Sequence, residues 1–142
     1  MNSIAGVIQA CMGSSRLSGK SFSKIYKGLS LLEMVILMVM KAKILDMTIL
    51  TTSKESNCDP LVELADRLGI FTVRGSEIDV LSRFVEAIQQ YNPDVIVRVC
   101  ADNPLTDSGE IGKLVDFSKK ANTIMQPITH LSAVYLMDWD VR

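Results

Sequence analysis

The chain has 142 residues, a formal net charge of −1, 48% apolar and 22% charged side chains. That is globular composition on the scale of one compact domain. It excludes long disorder and offers no bulk electrostatic attraction to nucleic acid. The longest apolar run, Met34 to Met40, is far too short to span a bilayer, and MNSIAGVIQACMG has no basic region ahead of a secretory core. A cytoplasmic protein without a nucleic-acid partner or a membrane span is expected. Cys11, Cys58 and Cys100 show no CxxC spacing, which fits reduced thiols better than a disulfide framework or a zinc site. The single histidine, His130, leaves little material for a His-based dyad or metal centre.

Ile4 to Ala10 reads as a short apolar strand ended by the turn-rich loop CMGSSRLSGKS. A helix starts near Ser30, where Ser30 and Glu33 have capping-box spacing, and Lys41 and Lys43 are expected in its last turn. Met47 to Thr52 is a second strand. Asp59-Pro60 opens a second helix and Gly69 closes it. Ile70 to Val73 is a third strand, Asp79 to Tyr91 a third helix, and Asp94 to Cys100 a fourth strand. Asp107 and Glu110 open a fourth helix that runs to about Lys120. Beyond it, Thr123 to Met125 and Ala133 to Met137 are candidate strands. Strand and helix alternating four times predict an α/β domain around a mostly parallel sheet. Ligands in such sheets sit beyond the carboxyl ends of the strands, where GSSRLSGK, TTSKES, RGSEID and ADNP fall.

The loop after the first strand is the leading ligand candidate. Gly13 and Gly19 admit close approach of backbone amides, and Ser14, Ser15 and Ser18 add hydroxyl donors. Arg16 offers a planar fork for phosphate oxygens and Lys20 a point charge. A plain solvated loop is the competing reading, but this composition after a first strand favours phosphate. It is not a Walker A loop, which needs four residues between its first glycine and its Gly-Lys pair. Five separate Gly13 from Gly19, and SFSKIYKG intervenes before the helix. Asp102, in ADNPL after the fourth strand, is a carboxylate suited to Mg²⁺ held jointly with phosphates, or else a turn or cap aspartate. Arg74, Ser76, Asp79 and Arg83 are candidates for a base or sugar pocket. Asp79 equally suits a helix N-cap and Arg83 a solvated helix position.

In order along the chain, IQACMGSSRLSGK, GLSLLEMVI, RGSEIDVLSRF and VIVRVCADNPLTD resemble the spore-coat polysaccharide cytidylyltransferase family, related to the enzymes that make CMP-sialic acid and CMP-Kdo. The resemblance covers about residues 3 to 115. It implies a three-layer, Rossmann-like nucleotide-diphosphosugar transferase fold. It also implies transfer of CMP from CTP to a sugar-acid acceptor in polysaccharide biosynthesis, with pyrophosphate leaving. The implied nucleotide site runs from Gln9 and Ala10 through Gly13, Ser14, Ser15, Arg16 and Lys20. Arg16 and Lys20 hold the triphosphate, and Arg74, Ser76, Asp79 and Arg83 lie near the nucleotide. Magnesium is implied at Asp102 and at Asp140 of the tail MDWDVR, which resembles a family Asp-Val-Glu segment with Arg142 in place of the glutamate.

The chain departs from the family pattern at Cys11, where an arginine is usual, and at Ser18, where proline is usual. Members of the family are longer, so residues 1–142 are expected to be one nucleotidyltransferase domain lacking the C-terminal part. A nucleotide-binding remnant or a fragment acting as a binding module is the alternative. The helix after Ser30 is apolar nearly all round, with Leu31, Leu32, Val35, Ile36 and Val39 forming an inward face. Met34, Leu37, Met38 and Met40 are then left for a homo-oligomer contact or for cover by residues 120 to 142.

Overall fold

The computed structural model describes residues 3–13, 19–121 and 134–138. Five strands form one sheet: β1 (Ile4–Gln9), β4 (Met47–Ser53), β5 (Phe71–Gly75), β6 (Val95–Cys100) and β7 (Val134–Asp138). A two-stranded ribbon, β2 (Lys24–Tyr26) with β3 (Leu29–Ser30), precedes the first helix. The helices are α1 (Leu31–Met40), α2 (Asp59–Leu68), α3 (Val80–Tyr91) and α4 (Ser108–Ala121). The sheet order is β5-β4-β1-β6-β7. The β1 pairs with β4 and β6 and the β4–β5 pair are parallel, while β7 runs antiparallel to β6. This is the mostly parallel, Rossmann-like α/β architecture that the strand–helix alternation predicts. The expected strand at Ala133 to Met137 is β7, and the one at Thr123 to Met125 lies outside the described residues.

Parallel strands are covered on both faces, and β1 accordingly reads as an unbroken apolar run. Ile4, Ile8, Leu50, Val97 and Val99 form one core with α1, α2 and α4. Ala5, Val7, Ile49, Val73 and Ile96 form the other with Phe84 and Ala87 of α3. Three helices on one face and one on the other make the three layers.

Local chemistry sets the helix ends. The Ser30 hydroxyl accepts from the Glu33 backbone N–H at 3.2 Å, and the Glu33 carboxylate accepts from the Ser30 N–H at 2.7 Å, a complete capping box. Asp79 caps α3 by accepting from the Ser82 N–H at 3.0 Å. Gly69 ends α2 in the left-handed conformation at φ 73°. At the end of α1 the expectation needs correction: the helix stops at Met40, Lys41 is its C-cap, and no cation lies in its last turn.

One further feature goes beyond the sequence expectation: the stretch SFSKIYKG that intervenes before the helix holds β2 and the turn leading into β3. Lys27 and Gly28 join the strands with φ of 47° and 79°, the signature of a type I′ turn. Of the inward face expected on α1, Leu32, Val35, Ile36 and Val39 are buried and Leu31 is half-buried; of the side chains left over, Met34, Leu37 and Met38 are half-buried and Met40 is exposed. Besides the sheet, α1 is in contact with α4 and with the 3-10 turn Lys20–Phe22.

Glu33 does more than cap. Its carboxylate pairs with Arg67 of α2 at 2.7 Å and with Lys24 of β2 at 3.6 Å. The Ser30 backbone N–H is the chief cause of its carboxyl lying below the ordinary 4.5; burial opposes, and Ser30, Lys24 and Arg67 add to the lowering. A carboxyl with a lower pKa folded than unfolded contributes stability at pH above its unfolded value, and loses it as pH falls through the folded value. Glu33→Ala is therefore expected to cost about 1 kcal/mol at neutral pH. Urea unfolding of both proteins at several pH values checks this: the gap should narrow below pH 4.5, and a gap independent of pH would rule the effect out.

Candidate active site

The chain order creates a switch point at β1. From β1 the sheet grows outward through β4 to β5, and then returns to the other side of β1 with β6. Loops leaving β1 and β6 diverge, and a crevice opens between them at the carboxyl edge. A cleft of about 300 Å³ lies there, lined by Gln9, Ala10, Cys11 and Gly13 from the end of β1, Lys20 and Ser21 from the following turn, and Cys100, Ala101 and Asp102 from the end of β6. Arg98 of β6 and Glu77, Val80 and Arg83 at the start of α3 complete the wall.

Lys20 and Asp102, 82 residues apart in sequence, meet across the mouth: the Lys20 Nζ lies 3.0 Å from the Asp102 Oδ2. Gly19, at φ 74°, starts the 3-10 turn that turns Lys20 inward. Both partners keep solvent access, with side chains 30% and 54% exposed, so the pair is weak.

The floor is different. Arg83 has 0% exposure, and its Nε and Nη1 have no hydrogen-bond partner among the described residues. Gly75 makes room for it: a Cβ there would stand 2.7 Å from the Arg83 Cγ. Beside it Arg98 donates from Nη2 to the Gln9 Oε1 at 3.1 Å, with its guanidinium 5.5 Å from the centre of the Phe84 ring. Burial pushes the Cys100 thiol up, so it lines the wall as a neutral group. Lys20, Arg83 and Arg98 thus converge on one opening that holds two carboxylates, Glu77 and Asp102. That arrangement suits a compact ligand with several negative charges.

Of the residues singled out in the sequence, the cleft brings together Gln9, Ala10, Gly13, Lys20, Arg83 and Asp102. It does not include Arg74, Ser76 or Asp79. Arg74 donates to the carbonyls of Ser53 and Glu55 and pairs with Asp59 at 2.7 Å, tying β5 to the start of α2. The Ser76 hydroxyl accepts from the Asp79 N–H, and Asp79 is the N-cap of α3. The solvated alternative for Arg83 is corrected by its complete burial. Ser14, Ser15, Arg16 and Asp140 lie outside the described residues. Sequence reasoning passed over Glu77 and Arg98. A lone cation inside the apolar strand VIVRVC was the available signal for Arg98.

The chain matches the cytidylyltransferase family over residues 5–135. It belongs to that family. It is 42% identical over 119 residues to an uncharacterized protein of Methanocaldococcus jannaschii, covering 84% of this chain and 49% of that one. It is 37% identical over 111 residues to the spore coat polysaccharide biosynthesis protein SpsF of Bacillus subtilis, covering 75% and 46%. The chain therefore spans about half the length of these curated relatives. A cytidylyltransferase structure from Leptospira borgpetersenii superimposes with a TM-score of 0.87 at 25% identity, over 97% of this chain and 61% of that one. Among the described residues no helix is long and apolar enough to cross a membrane.

A buried guanidinium that lacks partners for two of its nitrogens among the described residues is a liability in the ligand-free protein. Arg83→Met keeps an unbranched side chain and removes the charge. It is expected to leave the ligand-free protein equally stable or to raise its unfolding free energy by about 1–3 kcal/mol. Urea denaturation without ligand measures it; a loss of several kcal/mol would mean that the guanidinium is fully satisfied in the free state.

Proposed function

We propose that this cytidylyltransferase-family chain transfers CMP from CTP to a sugar-acid acceptor, releasing pyrophosphate, as a cytoplasmic step in polysaccharide biosynthesis. The observation that carries the reading is the convergence of Lys20, Arg83 and Arg98 with Asp102 on one cleft at the β1–β6 switch point. The family supports the base and the reaction. The relative SpsF, by its name, supports the polysaccharide context, and the resemblance to CMP-Kdo and CMP-sialic acid enzymes supports the acceptor class.

In this reaction an acceptor hydroxyl oxygen bonds to the α-phosphorus while the bond from that phosphorus to the bridging oxygen of the β-phosphate breaks. Lys20 and Arg16 bind the triphosphate. Arg83 and Arg98, held at the floor, offset negative charge from below without having to move. The acceptor loses its hydroxyl proton to solvent or to a nearby carboxylate, for which Glu77 in the wall is the available group.

A magnesium ion suits this donor set. Asp102 is a partly exposed carboxylate at the mouth, and one or two carboxylates with phosphate oxygens and water meet the needs of this ion. Asp102, with Asp140 from the tail, would hold it, and the ion would add charge neutralisation on the phosphates. Among the described residues no group of three or more His, Cys, Asp or Glu side chains forms a metal site.

One observation favours a second reading, a nucleotide-binding module without turnover: Cys11, which offers no cation, lines the cleft where the family pattern carries an arginine. Pyrophosphate release with CTP and a panel of 2-keto-3-deoxy sugars separates the two.

Charge-assisted contacts of about 1.5–3 kcal/mol each imply that Lys20→Ala and Arg83→Met weaken CTP binding about tenfold or more in calorimetry. Unchanged affinity in both variants would sink the nucleotide reading. Asp102→Asn should shrink the magnesium dependence of that binding. If the unaltered chain binds CTP equally well in chelator, Asp102 is a turn residue only.

A further inference from the structure

Cys11 and Cys58 face each other with their sulfurs 3.9 Å apart. They come from separate elements at the carboxyl edge of the sheet. Cys11 follows β1, is partly exposed and lines the nucleotide cleft. Cys58 is fully buried at the N-cap of α2, where a helix N-terminus favours a thiolate. A disulfide holds its sulfurs about 2.05 Å apart, so the pair needs to close by roughly 1.9 Å. Both sulfurs lie in loop or cap positions rather than inside a strand, so the closing shift requires no break in the sheet.

The surroundings suit the chemistry. The Ser53 hydroxyl donates to the Cys58 sulfur at 3.1 Å. Burial raises the Cys58 thiol, but hydrogen bonds involving the Met12 backbone, Ser53 and Cys11 work against it, and the thiol is held below its ordinary value. An accessible sulfur on the cleft wall thus stands against a buried one whose reactive form is favoured.

We propose that Cys11 and Cys58 are an oxidisable pair, and that their disulfide converts the cleft to a form that binds nucleotide weakly. The second half rests on the proposed function; the first does not. Hydrogen peroxide enters through the cleft. The Cys11 sulfur attacks one peroxide oxygen, the O–O bond breaks, and a sulfenic acid forms as water leaves with the thiol proton. The Cys58 thiolate then attacks the Cys11 sulfur; the S–S bond forms and the S–O bond breaks, and the departing hydroxide leaves as water with the proton that Cys58 gave up. Two thiols and one peroxide give one disulfide and two waters, two electrons passing from sulfur to oxygen. A dithiol reductant reverses the product. The bond draws Cys11 toward α2, and with it Met12 and Gly13, which begin the segment leading to Lys20.

The test uses the full chain. After peroxide treatment the remaining thiols are alkylated and the protein is digested with trypsin. The expected product joins the peptide of residues 1–16 to that of residues 55–67, disappears with dithiothreitol, and leaves Cys100 alkylated in the peptide of residues 99–113. Cys11→Ser and Cys58→Ser should each remove it, and Cys11→Ser suffices if the buried replacement does not fold. Saturating CTP should slow its formation, and the linked protein should bind CTP about tenfold more weakly than the reduced one. Oxidation of Cys11 to sulfinic acid without the joined peptide, or joining through Cys100, overturns the pair. Equal CTP affinity of the linked and reduced forms overturns the switch. A reduced protein that binds no CTP while the joined peptide still forms refutes the nucleotide reading and leaves the pair standing.

Discussion

The buried guanidinium of Arg83 is the constraint around which the carboxyl edge is arranged. It has no exposure, and two of its nitrogens lack a partner among the described residues. Its own helix makes matters worse, because Arg83 lies within the first turns of α3, where the helix dipole disfavours a cation. The fold nevertheless holds it there. Asp79 fixes the start of α3, Gly75 leaves the space that Arg83 fills, and Phe84 carries the neighbouring Arg98. A fold that buries a guanidinium with two nitrogens unbonded among the described residues bears a cost that a multiply charged anion reduces on binding. The same effect makes the site selective, since a neutral ligand leaves the charge unanswered.

Topology decides where that charge can be used. Because β4 and β6 flank β1 on opposite sides, the loops after β1 and β6 part over the same edge. A segment that leaves β1 can then meet a carboxylate that follows β6, although Lys20 and Asp102 are 82 residues apart. Such long-range pairing needs no sequence signal of its own. It follows once β1 is central.

How much of this is legible in the sequence depends on how local the cause is. Ser30 with Glu33, Asp79 and Gly69 announce their helix boundaries because the chemistry that sets them lies within four residues. The four parallel strands are legible because each is a short apolar run between turn signals. The β2–β3 ribbon is not, since its turn uses Lys27 at φ 47° rather than the Asn or Asp that usually marks such a turn. The apolar surround of α1 is legible, but which elements lie against it is not, because α4 comes from a distant part of the chain and the turn at Lys20–Phe22 reaches α1 only through the fold of the intervening ribbon. The site shows the same division. Arg74 and Arg83 look alike as cations in one motif, yet Arg74 is committed to Asp59 and two carbonyls while Arg83 faces the cleft. What separates them is which side of the sheet edge each element leaves, a property of the assembled layers.

The Lys20–Asp102 pair then acquires a meaning beyond stability. Exposed as it is, it contributes about 0–1 kcal/mol, so it does little to hold the fold. Its value lies in what each partner does when separated. A triphosphate offers Lys20 a stronger partner than one carboxylate, and an accompanying cation offers Asp102 a stronger partner than one ammonium. Each group keeps the other near its working position, and the low strength of the pair means that exchange needs little energy. Arg83 differs: it is fully buried, and its Nε and Nη1 have no hydrogen-bond partner among the described residues. The cleft thus combines an exposed pair that exchanges partners with a buried cation whose position is set by packing rather than by an exchangeable contact.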